Sequence, residues 1–256
     1  MFRYKEDTFP VLTILTLSIV DFFLYFTVSN LYVLISYFLL MIIPKGLICS
    51  WGHHHQHTNV FKKKYLNRIL EFFYALHTGA TTNVWVLHHN LGHHRFYLDQ
   101  EKDQSRWKKK DGTAMGYWRY SLEVTLTSYT RAWEVGKKYK DLRKDFLIFG
   151  VTTILAVTAL TIYNPINSLI LFVLPMFISL FLTAQATYKH HVGLDTDDKF
   201  SASYTDLNKF WNKLTGNLGY HTAHHCYPNV HWSKLPEMHE KIKNKIPDEN
   251  IRQNIL

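Results

Sequence analysis

The chain has 256 residues, and its 29 Lys and Arg residues against 20 Asp and Glu residues give it a formal net charge of +9 at pH 7. This charge suits an anionic membrane surface or an acidic partner, and with no recognisable nucleic-acid-binding motif we predict no nucleic acid partner. The two cysteines, Cys49 and Cys226, exclude a disulfide framework and any Cys-x-x-Cys zinc or redox pair.

Four segments are long and apolar enough to cross a bilayer, at about residues 10–29, 31–50, 146–163 and 166–186. About 20 helical residues span the roughly 30 Å hydrocarbon core of a membrane. The links within each pair of segments are very short and contain no Lys or Arg, whereas the polar segments outside the pairs are rich in both. The positive-inside rule therefore predicts two helical hairpins, with the termini and both long polar segments in the cytoplasm.

Two charged residues fall within or beside these segments. Asp21 lies in the middle of the first one, where a carboxyl group marks either a functional site or a protonated or paired group that faces protein. The sequence leaves both interpretations open. Lys45 lies near the end of the second segment, and its stem is expected to extend to the membrane interface.

Two apolar stripes between the hairpins predict amphipathic helices. The first includes Leu66, Leu70 and Phe73 and is expected to lie along the membrane surface, and the second continues from Trp118 through Leu122 and Leu126 to Tyr129 and Trp133. Both are interpreted as packing surfaces rather than cofactor sites.

The 16 histidines are clustered rather than scattered. The first cluster follows the second apolar segment, and continuing that helix places His53 and His57 at i and i+4 on one face. In the second cluster, α-helical spacing predicts that His89 and His93 share a face while His94 points about 100° away.

A third cluster contains His221, His224 and His225, and both later residues are expected to return to the face of His221. A further pair, His190 and His191, follows the fourth apolar segment. All four groups are predicted to emerge on the same side of the membrane. Eight or nine histidines exceed the four ligands of a structural zinc and the three of a catalytic one, so the number favours two metals with open positions. Residue type alone does not name the metal.

The other histidines have weaker assignments. His54, His55, His88 and His190 are expected to support metal ligands through hydrogen bonds. His77, His231 and His239 stand alone in the sequence and are interpreted as ordinary polar residues or as outer hydrogen-bond partners.

The late cluster and its tail carry a resemblance to a known family. The histidines of residues 221–225 are followed by Pro228 and then by Leu235, Pro236 and His239, which is similar to the ending of acyl desaturases. The spacing of His89, His93 and His94 is typical of alkane hydroxylases. The sequence thus resembles the membrane fatty acid desaturase and alkane hydroxylase superfamily over nearly its whole length.

Residues 187–194, Thr-Tyr-Lys-His-His-Val-Gly-Leu, resemble the hydroxylase motif Asn-Tyr-x-x-His-Tyr-Gly-Leu, which supplies an additional histidine ligand. This alignment selects His191 rather than His190, although Thr187 and Val192 depart from the motif. The mixed signature also resembles the branch of desaturase-like enzymes that form terminal alkenes.

The resemblance implies a single fatty acid desaturase-like domain over residues 1–256. Its fold would be all-α and integral to the membrane, with four transmembrane helices in two hairpins, interfacial helices, and a cytoplasmic helical cap from residues 51–145 and 187–256 that holds a dimetal site. The implied ligands of two iron ions are His53, His57, His89, His93, His94, His191, His221, His224 and His225. No catalytic side chain is predicted beyond these ligands.

The implied activity is an O2-dependent desaturation of a fatty acyl or alkyl chain held in a narrow tunnel, in contact with membrane lipid. Because the sequence has no flavin fingerprint, haem-binding segment or iron–sulfur cysteines, the electrons are expected from a separate ferredoxin, rubredoxin or cytochrome-type donor. A hydroxylase or a terminal-alkene-forming fatty acid decarboxylase on the same scaffold remains open. A divalent-metal transporter is a distant alternative, because transporters place ionisable ligands inside their spans and here only Asp21 lies there.

Overall fold

The computed structural model describes residues 1–253, and within them the fold is helical. The α-helices are α1 (Thr8–Thr27), α2 (Leu31–His57), α3 (Lys64–Thr78), α4 (Tyr117–Gly136), α5 (Lys140–Tyr163), α6 (Pro165–Ser168), α7 (Leu174–His191), α8 (Lys209–Thr215), α9 (His221–Cys226) and α10 (Leu235–Ile242). Two π-helical segments, Val86–His94 and Leu169–Val173, lie before α4 and between α6 and α7. A pair of parallel two-residue strands, β1 (Thr205–Asp206) and β2 (Ile251–Arg252), brings the C-terminal part of the chain against the segment after α7.

Four helical stretches have the length and apolar character of membrane spans, which confirms the prediction of two hairpins. They are Lys5–Thr27, Leu31–His57, Lys140–Tyr163 and Pro165–His191. The second and fourth stretches continue past their predicted ends at residues 50 and 186, because each helix extends into its histidine cluster. The helices that form the membrane part therefore also position the polar site.

Asparagine side chains cap the helix that follows each tight turn. The Asn30 side chain accepts hydrogen bonds from the backbone N–H groups of Tyr32 and Val33, and the Asn164 side chain accepts one from Asn167 N–H. These caps satisfy donors that the first turn of a helix leaves free, and Pro165 suits a first turn because it has no N–H to satisfy. The short links are thus sufficient to reverse the chain.

A buried ion pair within the first hairpin also contacts the second hairpin. Lys45 Nζ lies 2.8 Å from Asp21 Oδ2, and Tyr37 donates to Asp21 Oδ1 at 2.8 Å. Lys45 Nζ also donates to the Leu171 carbonyl at 3.0 Å, a group whose α-helical donor would be the missing N–H of Pro175. Lys45 is only 2% exposed, so the prediction that it extends to the interface is wrong. Asp21 is a paired carboxylate facing protein, one of its two predicted interpretations.

The two predicted amphipathic helices, α3 and α4, differ in how much of their apolar stripe is buried. Helix α3 packs against α1, α2, α5 and α7 through its buried side, which includes Leu70 and Tyr74. In α4 the buried side is formed by Tyr120 and by smaller residues around Val124, while Trp118 and Leu126 are 69% and 64% exposed. The interpretation of the α4 stripe as a packing surface is therefore wrong at these positions. An exposed apolar face beside four spans suits a helix at the membrane interface.

Candidate metal centre

The five-histidine group is a set of imidazoles from three parts of the chain. Helix α2 carries two of them at i and i+4, the first π-helical segment carries two, and α9 carries one. Their ligand atoms lie within 4.8 Å of one another, and the residues are His53, His57, His89, His94 and His224.

The four-histidine group lies beside it. The ligand atoms of His93, His191 and His225 lie within 4.8 Å of one another. The His221 Nε2 atom is 3.0 Å from His191 Nε2 and 3.1 Å from His225 Nε2, so this side chain completes the group. All nine histidines singled out in the sequence thus converge, and they divide five to four.

The second histidine cluster has a different geometry from the predicted one. Residues 86–94 form a π-helix, in which hydrogen bonds connect residues five apart. His89 Nε2 and His94 Nε2 therefore come within 2.9 Å of each other in the five-histidine group, while His93 points into the four-histidine group. The expectation that His89 and His93 share a face, with His94 turned away, is wrong.

The third cluster is also divided between the groups. His221 and His225, four residues apart on α9, both join the four-histidine group. His224 Nε2 lies 2.9 Å from His53 Nε2 and 3.0 Å from His94 Nε2, in the five-histidine group. The expectation of one shared face is wrong for His224, whose ring turns toward α2 while His221 and His225 face His191.

The pair at the end of α7 has two distinct environments. His191 points into the four-histidine group, and its Nδ1 lies 2.9 Å from the Ala202 carbonyl. The ring of His190 instead stacks on that of His221, with the centroids 3.9 Å apart. The structure therefore places His191, the histidine that the motif alignment selected, among the other potential ligands, and leaves His190 outside.

The hydrogen bonds of two of these histidines fix where their free lone pairs point. His93 Nδ1 lies 2.8 Å from Asp103 Oδ1, and His191 Nδ1 lies against the Ala202 carbonyl, so each Nδ1 carries the proton. When both rings are neutral, as metal ligation requires, their Nε2 atoms are bare acceptors, and these two atoms face each other at 3.2 Å. Two facing lone pairs repel in a buried site, and a cation between them removes that cost.

The spacing within both groups fits imidazole ligation. Nitrogens about 2.1 Å from one ion and at right angles to each other lie about 3.0 Å apart, and the close Nε2 pairs here lie 2.9 to 3.2 Å apart. His57 Nε2 is buried and has no hydrogen-bond partner among residues 1–253, which is the condition of a nitrogen that awaits a metal.

The rings are also held in the ligating form. Burial, together with the neighbouring imidazoles, holds the pKa of His224 and of His225 well below the usual value for histidine. The neutral ring, with a free lone pair, is the form that binds a metal. The two groups are adjacent, since the ring of His94 stacks on that of His225 at 4.1 Å between centroids. The donor set therefore fits two neighbouring metal ions.

The remaining histidines lie outside both groups. His54 Nε2 lies 3.2 Å from the Thr215 carbonyl, and His55 Nε2 lies 3.1 Å from Glu71 Oε1. His77 contacts Ser18, and His231 Nε2 lies 3.1 Å from Asp7 Oδ1. His88 is buried without a hydrogen-bond partner in the described part of the chain, and His239 lies beside Tyr220.

Sequence reasoning missed Asp103, the carboxylate that contacts His93. It lies ten residues after this histidine in a charged stretch that looks solvated, yet it is 3% exposed. No spacing rule marks it. The one available signal is the general need of a metal-ligating histidine for a partner on its other nitrogen.

We expect Asp103→Asn to weaken metal binding by the four-histidine group about 10–100-fold. The carboxylate of Asp103 accepts the Nδ1 proton of His93 and so fixes the tautomer with Nε2 free, whereas a neutral amide lacks the negative charge that favours this tautomer. The measurement is metal retention in competition with a chelator of known affinity. Asp111→Asn is the matched control, since the Asp111 side chain is 62% exposed. Equal retention by both variants would show that Asp103 does not act on the site.

An apolar cavity of about 370 Å³ reaches the five-histidine group at His53. Helix α2 contributes a stripe from Ile43 through Leu47 to His53, and α7 contributes Ala186 and Lys189. The cap contributes residues of α4 and α8 to the lining of the same cavity. The size and lining suit a single alkyl chain or a ligand of similar volume.

Comparison with known proteins identifies the family. No curated protein matches this sequence. The family model described as fatty acid desaturase matches residues 29–256, well over half of the chain and all nine converging histidines. The chain therefore belongs to the fatty acid desaturase family, and this membership makes it a membrane oxidoreductase that acts on fatty acyl chains.

Proposed function

We propose that this protein is an O2-dependent fatty acyl desaturase that uses two iron ions held by its histidines and electrons from a separate donor. The observation that supports this most directly is the convergence of nine imidazoles in two adjacent groups at one end of an apolar cavity. The family match agrees with it. The whole chain is then one functional domain.

In this proposal each group of histidines holds one ion. The five-histidine group binds the first through His53, His57, His89, His94 and His224, and the four-histidine group binds the second through His93, His191, His221 and His225. Five nitrogens exceed the four-coordinate tetrahedron that zinc prefers, and iron accepts imidazole with further positions open. When bound, the iron pair supplies reduced oxygen chemistry strong enough to remove hydrogen from an unactivated methylene group.

The polypeptide contributes by binding the substrate, aligning it with the histidine groups and excluding water from it. Leu47 and Ala186 line the cavity as it approaches His53, so an alkyl chain inside it lies against the five-histidine group. Such positioning lowers the entropic cost of bringing the reacting carbons to the metal site, and it excludes water from them. Positioned carboxylates alone would not serve, because a methylene C–H has no useful acidity.

The basic cap suits an acidic electron donor. Arg106, Lys108, Lys109 and Lys110 lie around one surface concavity together with Asp99, Glu101 and Asp195, and Lys110 forms no salt bridge within residues 1–253. A ferredoxin, rubredoxin or cytochrome-type protein with acidic residues around its cofactor would be complementary to this surface. Under the positive-inside rule this face, the histidines and the termini are cytoplasmic.

The experiment that tests the proposed reaction is product analysis by mass spectrometry. Purified protein, loaded with iron and supplied with O2, a reductant and an electron-transfer protein, would be given a fatty acid deuterated along its chain. We expect a product that has lost two hydrogens from adjacent carbons and gained no oxygen. A hydroxylated product without an alkene would contradict desaturation, and a terminal alkene one carbon shorter would identify a decarboxylase.

A further inference from the structure

We propose that Lys189 binds the head group of the substrate, so that the cavity takes a free fatty acid with its carboxylate at the histidine end and its tail directed along α2 toward Ile43. The inference rests on the proposed function for the identity of the cavity as a substrate site. It adds the chemical form in which the acyl group arrives.

Lys189 lies on the face of α7 that borders the cavity. Leu182, Ala186 and Lys189, at i, i+4 and i+7, share that face, and all three line the same cavity as His53. Lys189 is two residues from His191, so it lies at the level of the histidine groups rather than in the middle of the span. Among residues 1–253, it is the one Lys or Arg side chain in the lining of this cavity.

The ammonium group of Lys189 has no negative partner from the described residues. The salt bridges of residues 1–253 pair other lysines, and Lys189 Nζ lies over the Tyr117 ring, 5.5 Å from its centroid. The residue is partly buried. A cation beside an apolar cavity gains most from an anion that the ligand supplies, through a charge-assisted hydrogen bond.

The two ends of the cavity differ in chemistry, which sets the direction of the chain. From His53 to Ile43 the α2 stripe covers ten residues, or about 15 Å of helix. Ile43 is 63% exposed on the membrane part of α2, and no charged residue of the described chain, residues 1–253, lines its end of the cavity. The apolar tail therefore belongs there and the carboxylate at Lys189. A neutral alkane or an ester of the same length would leave the ammonium group unpaired.

The test compares two probes that share an alkyl chain and differ in the head group. Binding of radiolabelled dodecanoic acid and of dodecanol to the purified full chain would be measured at pH 8, where the acid is ionised. We expect Lys189→Met to weaken binding of the acid about tenfold or more, and to leave binding of the alcohol within about twofold. Lys189→Arg should retain most of the affinity for the acid.

Lys213→Met is the matched control, because Lys213 is exposed on α8 and lies outside the cavity lining. Unchanged acid binding by Lys189→Met, or equal loss for both probes, would overturn the proposal. Vesicles of an anionic phospholipid that displaced the alcohol and the acid alike would identify a lipid head group as the occupant instead.

Turnover of the same acid by the unaltered protein is measured in parallel. Binding that depends on Lys189 without turnover would defeat the oxygenase function, and turnover without that dependence would defeat only this inference.

Discussion

Replacing His224 with alanine is expected to abolish oxidation of fatty acyl chains and to lower the iron content of the purified protein. His224 Nε2 lies 2.9 Å from His53 Nε2 and 3.0 Å from His94 Nε2, so its loss opens the centre of the five-histidine group. The loss of affinity should exceed the roughly 10–100-fold that removal of an outer hydrogen-bond partner costs. Iron per chain, by elemental analysis, and product formation are the two measurements.

The control for this variant is His239→Ala. His239 is buried and belongs to the motif of the late cluster, but its ring lies against Tyr220 and it belongs to neither histidine group. It should keep its iron and most of its activity. Insertion into membranes should be unchanged in both variants, since neither position lies in a span. Equal loss of iron from both would show that the ligand set is wrongly assigned.

The second large effect is expected at Asp21, where the structure has a buried ion pair. Asp21→Asn removes the negative charge that lies 2.8 Å from Lys45 Nζ. The ammonium group of Lys45, a residue that is only 2% exposed, is then left buried without a charged partner. Breaking a buried pair by removing one partner costs about 3–5 kcal/mol of stability. We expect this variant to unfold at a lower temperature than the unaltered protein and to give less folded protein after purification.

The double variant Asp21→Leu with Lys45→Met separates charge from packing. Apolar residues of similar volume often replace a buried ion pair with little loss, so the double variant should be clearly more stable than Asp21→Asn. Ser18→Ala, which removes the hydrogen bonds of the Ser18 hydroxyl with the Ile14 carbonyl and with His77 Nε2, each at 2.9 Å, should cost less than Asp21→Asn because it leaves no unpaired buried charge. An Asp21→Asn protein that unfolds at the temperature of the unaltered chain would contradict the structural role of this pair.

Much of this architecture can be predicted from the sequence. The four spans are strong signals because membrane helices must be long and continuously apolar, and all four appear in the structure. The nine histidines were also identifiable, because runs of this residue beside spans have few structural explanations. His53 and His57 were correctly placed on one face because α2 continues as a regular helix.

The division of the histidines between two groups was not predictable, because it depends on local backbone geometry. Nothing in residues 86–94 announces a π-helix, and only that geometry brings His89 and His94 together while separating His93. Long-range partners were equally hidden. The pairing of Lys45 with Asp21 connects residues 24 apart in different helices, and Asp103 lies in a stretch whose charges indicate a solvated loop.

The most direct test of the account is the amount and identity of metal bound to the active, full-length protein. Elemental analysis should give two iron atoms per chain, and removal of the iron by a chelator should abolish activity that returns on adding ferrous iron. Zinc alone in active protein, or one metal atom per chain at full activity, would contradict the central claim that the five-histidine and four-histidine groups each hold an iron ion.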